Sequence, residues 1–499
     1  MYISTRGGEG KYSAAEAIKL GMASDGGLFV PDALVQFDLQ QLQALGDYSY
    51  QQRALAVLNP YLPDYSQEEI EACINRAYNE SKFDCKEIAP LISAGDDKYV
   101  LELWHGPTSA FKDMALQILP QLLSIALSKT GETDEIVILV ATSGDTGKAA
   151  LEGFKDVEQT KIIVFYPQDG VSQIQRLQMI TQQGSNVSVA AVKGNFDDAQ
   201  TGVKKIFNDQ VYKRELAERG FRLSSANSIN WGRLLPQIVY YFSAYADLVK
   251  QKRVKIGQPV NFVVPTGNFG NILAGYYAKM MGLPIKKLIC ASNHNNVLTE
   301  FFRTGRYDRR REFHKTISPS MDILISSNLE RLLYHITNKN TALISEWMNK
   351  LSVEGYYEIG YDYLADLNEI FWADWVDDEK TIETIRRVYH TSSYLIDPHT
   401  AVAWEAGDKY RAQTGDNTPL VVLSTASPFK FNDSVLAAIA DINDVTKLQN
   451  EFDMLDQISR ITSLEIPTGL KNLKTDAIRH TGICAKEEMQ QLVSNVLFT

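Results

Sequence analysis

The sequence contains little cysteine and no spacing of cysteines or histidines that would hold a metal. Its four cysteines, Cys73, Cys85, Cys290 and Cys484, lie far apart, and its seven histidines show no zinc-type pairing. Without a C-x-x-C motif or metal-ligand spacing, reduced thiols in a cytosolic protein are the simplest interpretation. Residues 1–8 also lack the basic and apolar regions of a secretory signal. We therefore expect reduced thiols, no bound metal and a cytoplasmic location.

Long apolar runs and an excess of basic charge are missing as well. No stretch approaches the roughly 18 apolar residues of a membrane helix. The formal net charge is −11, which leaves no basic excess to neutralise the phosphates of a nucleic acid. We therefore expect neither a membrane nor a nucleic-acid partner. The sequence leaves the oligomeric state open, as monomer or dimer.

The pattern of residue types changes near residue 98. Before it, helix formers dominate, and the segments starting at Ser13 and Ser66 carry capping boxes with Glu16 and Glu69. After it, β-branched strands alternate with helical patterns, which is typical of a parallel sheet covered on both faces. A late strand at 420–424 can rejoin that sheet. These patterns predict an α/β fold.

The length of 499 residues favours more than one domain. We predict a small, mostly helical N-terminal domain and an α/β core in two sheet-containing parts. A helical insertion and C-terminal part then contributes the late strand to the core. The predicted boundaries are 1–97, 98–320 (parts 98–225 and 226–320) and 321–499.

One lysine stands at a junction where chemistry is expected. Lys112 follows an apolar strand pattern at 99–103 and directly precedes a helical pattern from Met114. A lysine desolvated at such a junction has a lowered pKa and a usable neutral amine. For a lysine taken alone, a solvated position at a helix start is much the commoner case, and the other loops of the chain are what favour chemistry at Lys112.

Three further loops follow predicted strands. Residues 141–148 and 265–271 combine glycines with polar residues before a helix, where backbone amides can bind an anion. The first is not a P-loop, because Thr142 and Ala149 stand where that motif needs glycine and a hydroxyl residue. Residues 423–431 place hydroxyl groups at a strand end, which faces the ligand crevice of an open α/β sheet. Each loop alone is also compatible with a simple turn.

Together these parts suit a pyridoxal phosphate (PLP) site, which needs an amine, a phosphate cradle and a group facing the pyridine nitrogen. At this point the chain resembles the threonine synthases of the long form found in bacteria and fungi, within the fold type II PLP enzymes. The segments that carry the resemblance are Tyr2–Gly7, Gly27–Pro31, His105–Asp113, Thr142–Gly147, Asn227–Trp231, Pro265–Asn271, Ser318–Ile323 and Asp397–Ala401.

The resemblance implies a role for each site residue. Lys112 would be the catalytic lysine that also binds the cofactor covalently, and Thr425 would face the pyridine nitrogen. The residues implied for the cofactor phosphate are Gly267, Asn268, Phe269, Gly270 and Asn271. Those implied for the substrate are Ser143, Asp145, Thr146, Arg233 and Lys430, with Lys430 the leading candidate for the substrate phosphate and Lys148 a weaker one.

Two positions depart from the pattern. Related enzymes of the fold carry asparagine where this chain has Asp145, so we do not expect Asp145 to make the asparagine's contact with the cofactor ring. The family often has histidine where this chain has Ser427, so a histidine function there is excluded.

The implied reaction converts O-phospho-L-homoserine and water to L-threonine and phosphate, the last step of threonine biosynthesis. Two alternatives stay open from the sequence. One is another PLP-dependent reaction, such as dehydration or β-replacement on serine-like substrates. The other is a non-catalytic relative that binds a metabolite, although the presence of Lys112 argues against it.

Overall fold

The computed structural model describes residues 1–8, 10–142, 144–169, 171–440 and 450–498. The strands are β1 Tyr2–Ser4, β2 Phe29–Pro31, β3 Leu91–Ser93, β4 Lys98–Glu102, β5 Glu135–Ala141, β6 Thr160–Pro167, β7 Val187–Val192, β8 Phe221–Ser224, β9 Val260–Pro265, β10 Ile285–Ser292, β11 Arg306–Asp308, β12 Tyr356–Glu358, β13 Phe371–Trp375, β14 Leu420–Ser424 and β15 Gly482–Cys484.

The helices connect and cover these strands. They are α1 Ala14–Leu20, α2 Leu39–Ala44, α3 Tyr50–Leu58, α4 Gln67–Ala77, α5 Asp113–Leu116, α6 Leu119–Lys129, α7 Asp145–Phe154, α8 Gln173–Ile180, α9 Phe196–Asn208, α10 Gln210–Glu218, α11 Trp231–Lys250, α12 Gly270–Met280, α13 Val297–Thr304, α14 Leu329–Ile336, α15 Thr341–Val353, α16 Tyr361–Ile370, α17 Asp378–Ser392, α18 Pro398–Thr414, α19 Asn432–Ile439, α20 Glu451–Thr462, α21 Thr468–Lys471 and α22 Met489–Leu497.

Two larger sheets organise the molecule, and both follow from the β-branched runs of the sequence. One has the order β13-β10-β9-β14-β4-β3, with every pair parallel except β3 and β4. The other has the order β15-β7-β6-β5-β8 and is parallel throughout. The α/β prediction is confirmed, and the late strand β14 does rejoin the sheet, between β9 and β4.

The N-terminal helices begin as their capping residues predict. Ser13 and Ser66 each accept a backbone N–H, while Glu16 and Glu69 reach back to the cap backbone. Buried residues of this region share one apolar cluster with the central helix α11 and the strands β4 and β14. The division of the chain at residues 97 and 320 stays a prediction. In the described residues no helix is long and apolar enough to span a membrane.

Candidate active site

Three of the four predicted loops converge because their strands are neighbours. Strands β9, β14 and β4 are adjacent and parallel, so their carboxyl ends lie at the same edge of the sheet. The loop after β4 is tied directly to the loop after β14. Phe111 donates its backbone N–H to the Thr425 carbonyl at 2.8 Å, and Ser427 donates to the Ser109 carbonyl at 3.1 Å.

Lys112 lies at this edge among charged groups, and its side chain is 11% exposed. Its Nζ donates to the Ser320 hydroxyl at 3.2 Å and lies 3.8 Å from Asp145 Oδ2. Burial lowers the pKa of Lys112 to about 8, although the Asp145 carboxylate opposes that change. The expectation of a desolvated lysine with a lowered pKa is therefore met.

Asp145, the first residue of α7, is the anionic centre of the site. Its Oδ1 lies 2.6 Å from Lys430 Nζ and accepts from Gln175 Nε2 at 3.2 Å. Burial alone would raise the pKa of Asp145, but Lys430 and Lys112 outweigh it and hold that pKa well below the ordinary range. The structure thus brings together Lys112, Asp145 and Lys430, which lie far apart in the chain.

Lys430 sits in a 3₁₀ turn at Pro428–Phe431, and its side chain is 0% exposed. It also donates to the Thr108 carbonyl at 2.9 Å. Thr108 belongs to the loop after β4, which carries Lys112 and is called the lysine loop. Lys430 therefore joins the loops after β4 and β14 to the start of α7. Ser427, in the same loop, buries its hydroxyl without a hydrogen-bond partner among the described residues.

The loop after β9 forms a cradle of backbone groups leading into α12. Phe269 adopts a left-handed backbone conformation, with φ of 66°, and its ring packs on Phe302 and Phe371. A left-handed residue just before a helix turns successive N–H groups toward one side. Gly267 is required by close packing, because a Cβ there would lie 2.7 Å from the Ser320 carbonyl oxygen.

Side chains from the α14 region hold this cradle in place. Asn328 donates its backbone and side-chain N–H groups to the Asn268 carbonyl, each at 3.1 Å. Ser326 Oγ donates to the Gly267 carbonyl at 2.7 Å. Arg331, fully buried, donates to Asn328 Oδ1 and to the Phe29 and Ile229 carbonyls. All these supporting acceptors are neutral oxygens.

Two unpaired donors lie beside these loops. Asn271 accepts from the hydroxyls of Tyr240 and Tyr241 at 2.6 and 3.1 Å, which leaves its side-chain amide N–H groups buried. Arg233, at the start of α11, donates to the Ala226 carbonyl, while its Nε has no partner among the described residues. Burial lowers the pKa of Arg233 to about 10, so its guanidinium is still charged at neutral pH.

The remaining predicted residues fall around the same edge. Gly270 begins α12, Thr425 follows β14 and is buried, and Thr146 is half-buried on the first turn of α7. Ser143 lies outside the described residues. Lys148 lies further along α7, where it pairs with Glu152 at 3.5 Å and donates to Gln182. It is therefore engaged away from the Asp145–Lys430 pair.

Sequence reasoning gave no role to Ser320 or His399, although both lie in segments that carried the resemblance. Ser320 Oγ contacts both Lys112 and Asp145, and the Ser320 backbone N–H donates to His399 Nε2 at 3.1 Å. The only available signal was that these polar residues occur in motifs, because nothing local to residues 318–323 or 397–401 predicts their meeting.

Comparison with known proteins identifies the family. Three family descriptions match: threonine synthase N terminus over residues 1–78, pyridoxal-phosphate dependent enzyme over 89–347, and threonine synthase C-terminal over 400–475. Threonine synthase from Schizosaccharomyces pombe is 39% identical over 490 residues, covering 91% of this chain and 93% of that protein. The chain belongs to the threonine synthase family.

A second curated relative and a solved structure are also similar to this chain. Threonine synthase-like 1 from Pongo abelii is 42% identical over 468 residues, covering 90% of this chain but only 62% of that protein. This chain therefore spans about three fifths of that relative's length. The crystal structure of PLP-bound threonine synthase from Brucella melitensis matches with a TM-score of 0.88 and 36% identity, covering 99% of both chains.

As a member of this PLP-dependent family, the chain uses pyridoxal phosphate, and its residues fit the cofactor. The cradle at 267–271 offers backbone N–H groups at a helix start, where phosphate binds well. The buried Asn271 amide supplies a donor that lacks a partner among the described residues. Lys112 supplies the amine. These residue assignments remain predictions, which the threonine synthase relationship supports.

Proposed function

We propose that the chain converts O-phospho-L-homoserine and water to L-threonine and inorganic phosphate. The observation that carries this proposal is the charge of the site. Around Lys112 lie two buried cations, Lys430 and Arg233, and two buried carboxylates, Asp145 and Asp113. With Lys112 itself, the cations outnumber the carboxylates by three to two. Buried charges of one sign without partners are costly, so the site favours an anionic ligand although the whole chain carries a net charge of −11.

O-Phosphohomoserine suits that charge because it carries a phosphate and a carboxylate. We assign the phosphate to Lys430, with Arg233 as a further cation, and the carboxylate to the start of α7 at Ser143, Asp145 and Thr146. In this assignment Asp145 helps to bind the substrate rather than the cofactor ring, because it holds the Lys430 ammonium group at 2.6 Å. Within this scheme substrate phosphate and Asp145 compete for the same cation.

When bound, PLP supplies an electron sink that makes the substrate's Cα proton acidic. Lys112 is the group that moves protons, since its pKa of about 8 lets it act as base or acid near neutral pH. It removes a proton from Cα and later one from Cβ, and it returns a proton to Cγ after phosphate leaves. Water then adds its hydroxyl group at Cβ, and a proton returns to Cα to complete threonine. Burial of the lysine loop limits the access of water before that step.

The remaining details are predictions from the family resemblance and from composition. Residues 267–271 and Thr425 are proposed to contact the cofactor phosphate and pyridine nitrogen. A cytoplasmic location, and the lack of nucleic-acid and membrane partners, are predictions from composition and charge. The sequence-based choice between monomer and dimer stays open.

The test is phosphate release and threonine formation from O-phosphohomoserine by the PLP-loaded full-length chain. Lys112→Ala should abolish both, by at least about 1,000-fold. Lys129→Ala is the matched control, because Lys129 ends α6 and forms an ion pair with Glu69 of α4, at 2.9 Å, instead of contacting the site. A PLP-loaded wild type that forms no threonine but dehydrates serine or threonine would support the alternative PLP reaction. A chain with no visible cofactor absorbance would support the non-catalytic relative.

A further inference from the structure

Ser320 lies where the separate parts of the site meet. It belongs to a 3₁₀ turn at Pro319–Met321, and its Oγ lies 3.2 Å from Lys112 Nζ and 3.3 Å from Asp145 Oδ2. Its carbonyl oxygen packs against Gly267 of the cradle. One residue thus contacts the lysine, the carboxylate and the cradle.

The partners of the Ser320 hydroxyl fix the direction of its hydrogen bonds. The ionised Asp145 carboxylate can only accept, so the single hydroxyl proton of Ser320 points to Asp145. A lone pair of the same oxygen then faces Lys112, and Lys112 must donate. Ser320 therefore favours an amine that carries a proton directed at the serine oxygen.

A buried histidine holds the backbone of Ser320. Asp397 caps α18, and its Oδ2 lies 2.6 Å from His399 Nδ1, so Nδ1 carries the proton. His399 Nε2 faces the Ser320 backbone N–H at 3.1 Å and must therefore be the unprotonated acceptor. The two partners fix one neutral tautomer. The ring also packs edge-on against Phe431, with ring centroids 4.8 Å apart.

We propose that Ser320 is a further catalytic residue, whose hydroxyl orients the Lys112 amine, and that the Asp397–His399 pair is the device that positions Ser320. The proposal rests on the role of Lys112 as proton carrier in the proposed function. It assigns the serine no covalent step. Ser320 accepts a hydrogen bond from the amine and donates one to Asp145.

Removal of the Ser320 hydroxyl should change the pKa of Lys112 in a predictable direction. The charged groups that face Lys112 are Asp145 on α7, Lys430 in its 3₁₀ turn, Arg233 on α11 and Asp113 on α5. Ser320 adds a neutral acceptor to this set. Loss of an acceptor from the protonated amine disfavours the charged form, so the pKa of Lys112 falls in Ser320→Ala.

The test measures how fast Lys112 captures PLP rather than how fast the enzyme turns over. PLP is added to the cofactor-free full-length chain, and the absorbance of lysine-bound PLP is followed from about pH 6 to about pH 10. Only the neutral amine attacks the PLP carbonyl, so the rate rises through the pKa of Lys112. The titrations of PLP itself are common to all variants and cancel in the comparison.

We expect a wild-type midpoint near pH 8 and a midpoint lower by about half a unit to one unit in Ser320→Ala. Ser320→Thr keeps the hydroxyl and should keep the wild-type midpoint. Ser318→Ala is the matched control, because Ser318 contacts Asn293 and Thr316 instead of Lys112. An unchanged midpoint in folded Ser320→Ala overturns the proposal.

Two substitutions at His399 test the positioning role. His399→Gln can keep an acceptor near the Nε2 position, whereas His399→Asn keeps a donor near Nδ1 and loses that acceptor. We expect an acidic shift in His399→Asn and a smaller one in His399→Gln. If both variants keep the wild-type midpoint while Ser320→Ala shifts it, the positioning role of the Asp397–His399 pair is wrong.

These outcomes separate the inference from the proposed function. PLP capture involves no O-phosphohomoserine, so its pH midpoint does not depend on the substrate. Failure to form threonine with a shifted midpoint in Ser320→Ala would contradict the function and leave the serine assignment supported. Threonine formation by the wild type together with an unchanged midpoint in Ser320→Ala would support the function and contradict the serine assignment.

Discussion

The site contains two anion-binding regions that are built on different physics. The cradle at 267–271 relies on backbone N–H groups and is braced by neutral hydrogen bonds from Ser326 and Asn328. The region around Asp145 instead relies on buried ions, with Lys430 and Lys112 on either side of one carboxylate. A cofactor that stays bound suits a fixed cradle, whereas a substrate that comes and goes suits ions that can exchange partners.

The largest effect is expected where that ionic region loses one partner. Lys430→Met leaves Asp145 buried with only Lys112 as a nearby cation, so the free energy of unfolding should fall by about 3–5 kcal/mol. Substrate affinity should fall as well, because Lys430 is assigned to the phosphate. Urea unfolding of the single variant measures the loss.

The double variant Lys430→Met with Asp145→Asn is the control for that prediction. It removes the uncompensated carboxylate and should recover most of the lost stability, since a buried pair replaced at both positions costs much less than a broken one. Equal losses in the single and double variants would show that the pair contributes by packing rather than by charge.

The cradle should respond to shape instead of charge. In Gly267→Ala the new Cβ would lie 2.7 Å from the Ser320 carbonyl, so either the cradle or the Ser320 turn must move. We expect PLP affinity to fall by about 100-fold, measured by equilibrium titration of the visible absorbance. Gly46→Ala is the control, because the nearest atom to its Cβ is the Ala246 carbonyl oxygen at 4.0 Å.

The contrast between the regions also explains how far the sequence could predict the site. Strand–loop–helix patterns located the loops after β4, β9 and β14, because glycines and hydroxyl residues between regular elements are local signals. The sequence also named Asp145 and Lys430 separately. It could not pair them, since one follows a strand of the five-stranded sheet and the other a strand of the six-stranded sheet.

Ser320 and Arg331 were beyond sequence reasoning for the same reason. Ser320 acquires its importance from Lys112, Asp145 and His399, which come from three distant segments. Arg331 looks like a surface residue in a helical pattern, yet it is fully buried and bonded to carbonyls of two other segments. Tertiary contacts of this kind leave no periodic trace in the chain.

A pH-dependent change of intermediate size in the free energy of unfolding is expected at His105, which lies between β4 and Lys112 and again contacts ionisable groups. Burial alone would lower the pKa of His105, but hydrogen bonds to Asp84 at 2.6 Å and Glu102 at 2.8 Å raise it to about 9. The folded chain then binds the proton more tightly than the unfolded chain. This stability is fully present below about pH 6.5 and is lost as the pH rises to about 9.

We expect the free energy of unfolding of the wild type, taken relative to that of His105→Gln, to fall by about 2 kcal/mol across that range, allowing for the partial exposure of the cluster. Urea unfolding of both proteins at several pH values measures it, and the comparison cancels the contributions of other titrating groups such as Lys112. A difference that does not change with pH would contradict the prediction. The cradle should contribute little to the slope, because its bracing hydrogen bonds involve no titrating acceptor.

The smallest effect is expected from one neutral brace of the cradle. Ser326→Ala removes the hydrogen bond to the Gly267 carbonyl, at 2.7 Å, and that carbonyl can still be solvated in part because Gly267 is half-buried. A hydrogen bond between neutral groups contributes about 1 kcal/mol, so PLP affinity should fall by only about fivefold. Because the lost contact carries no charge, the fall should be the same in low and high salt. A fall that grows or shrinks with salt would mean that charge, and not only backbone geometry, holds the cradle.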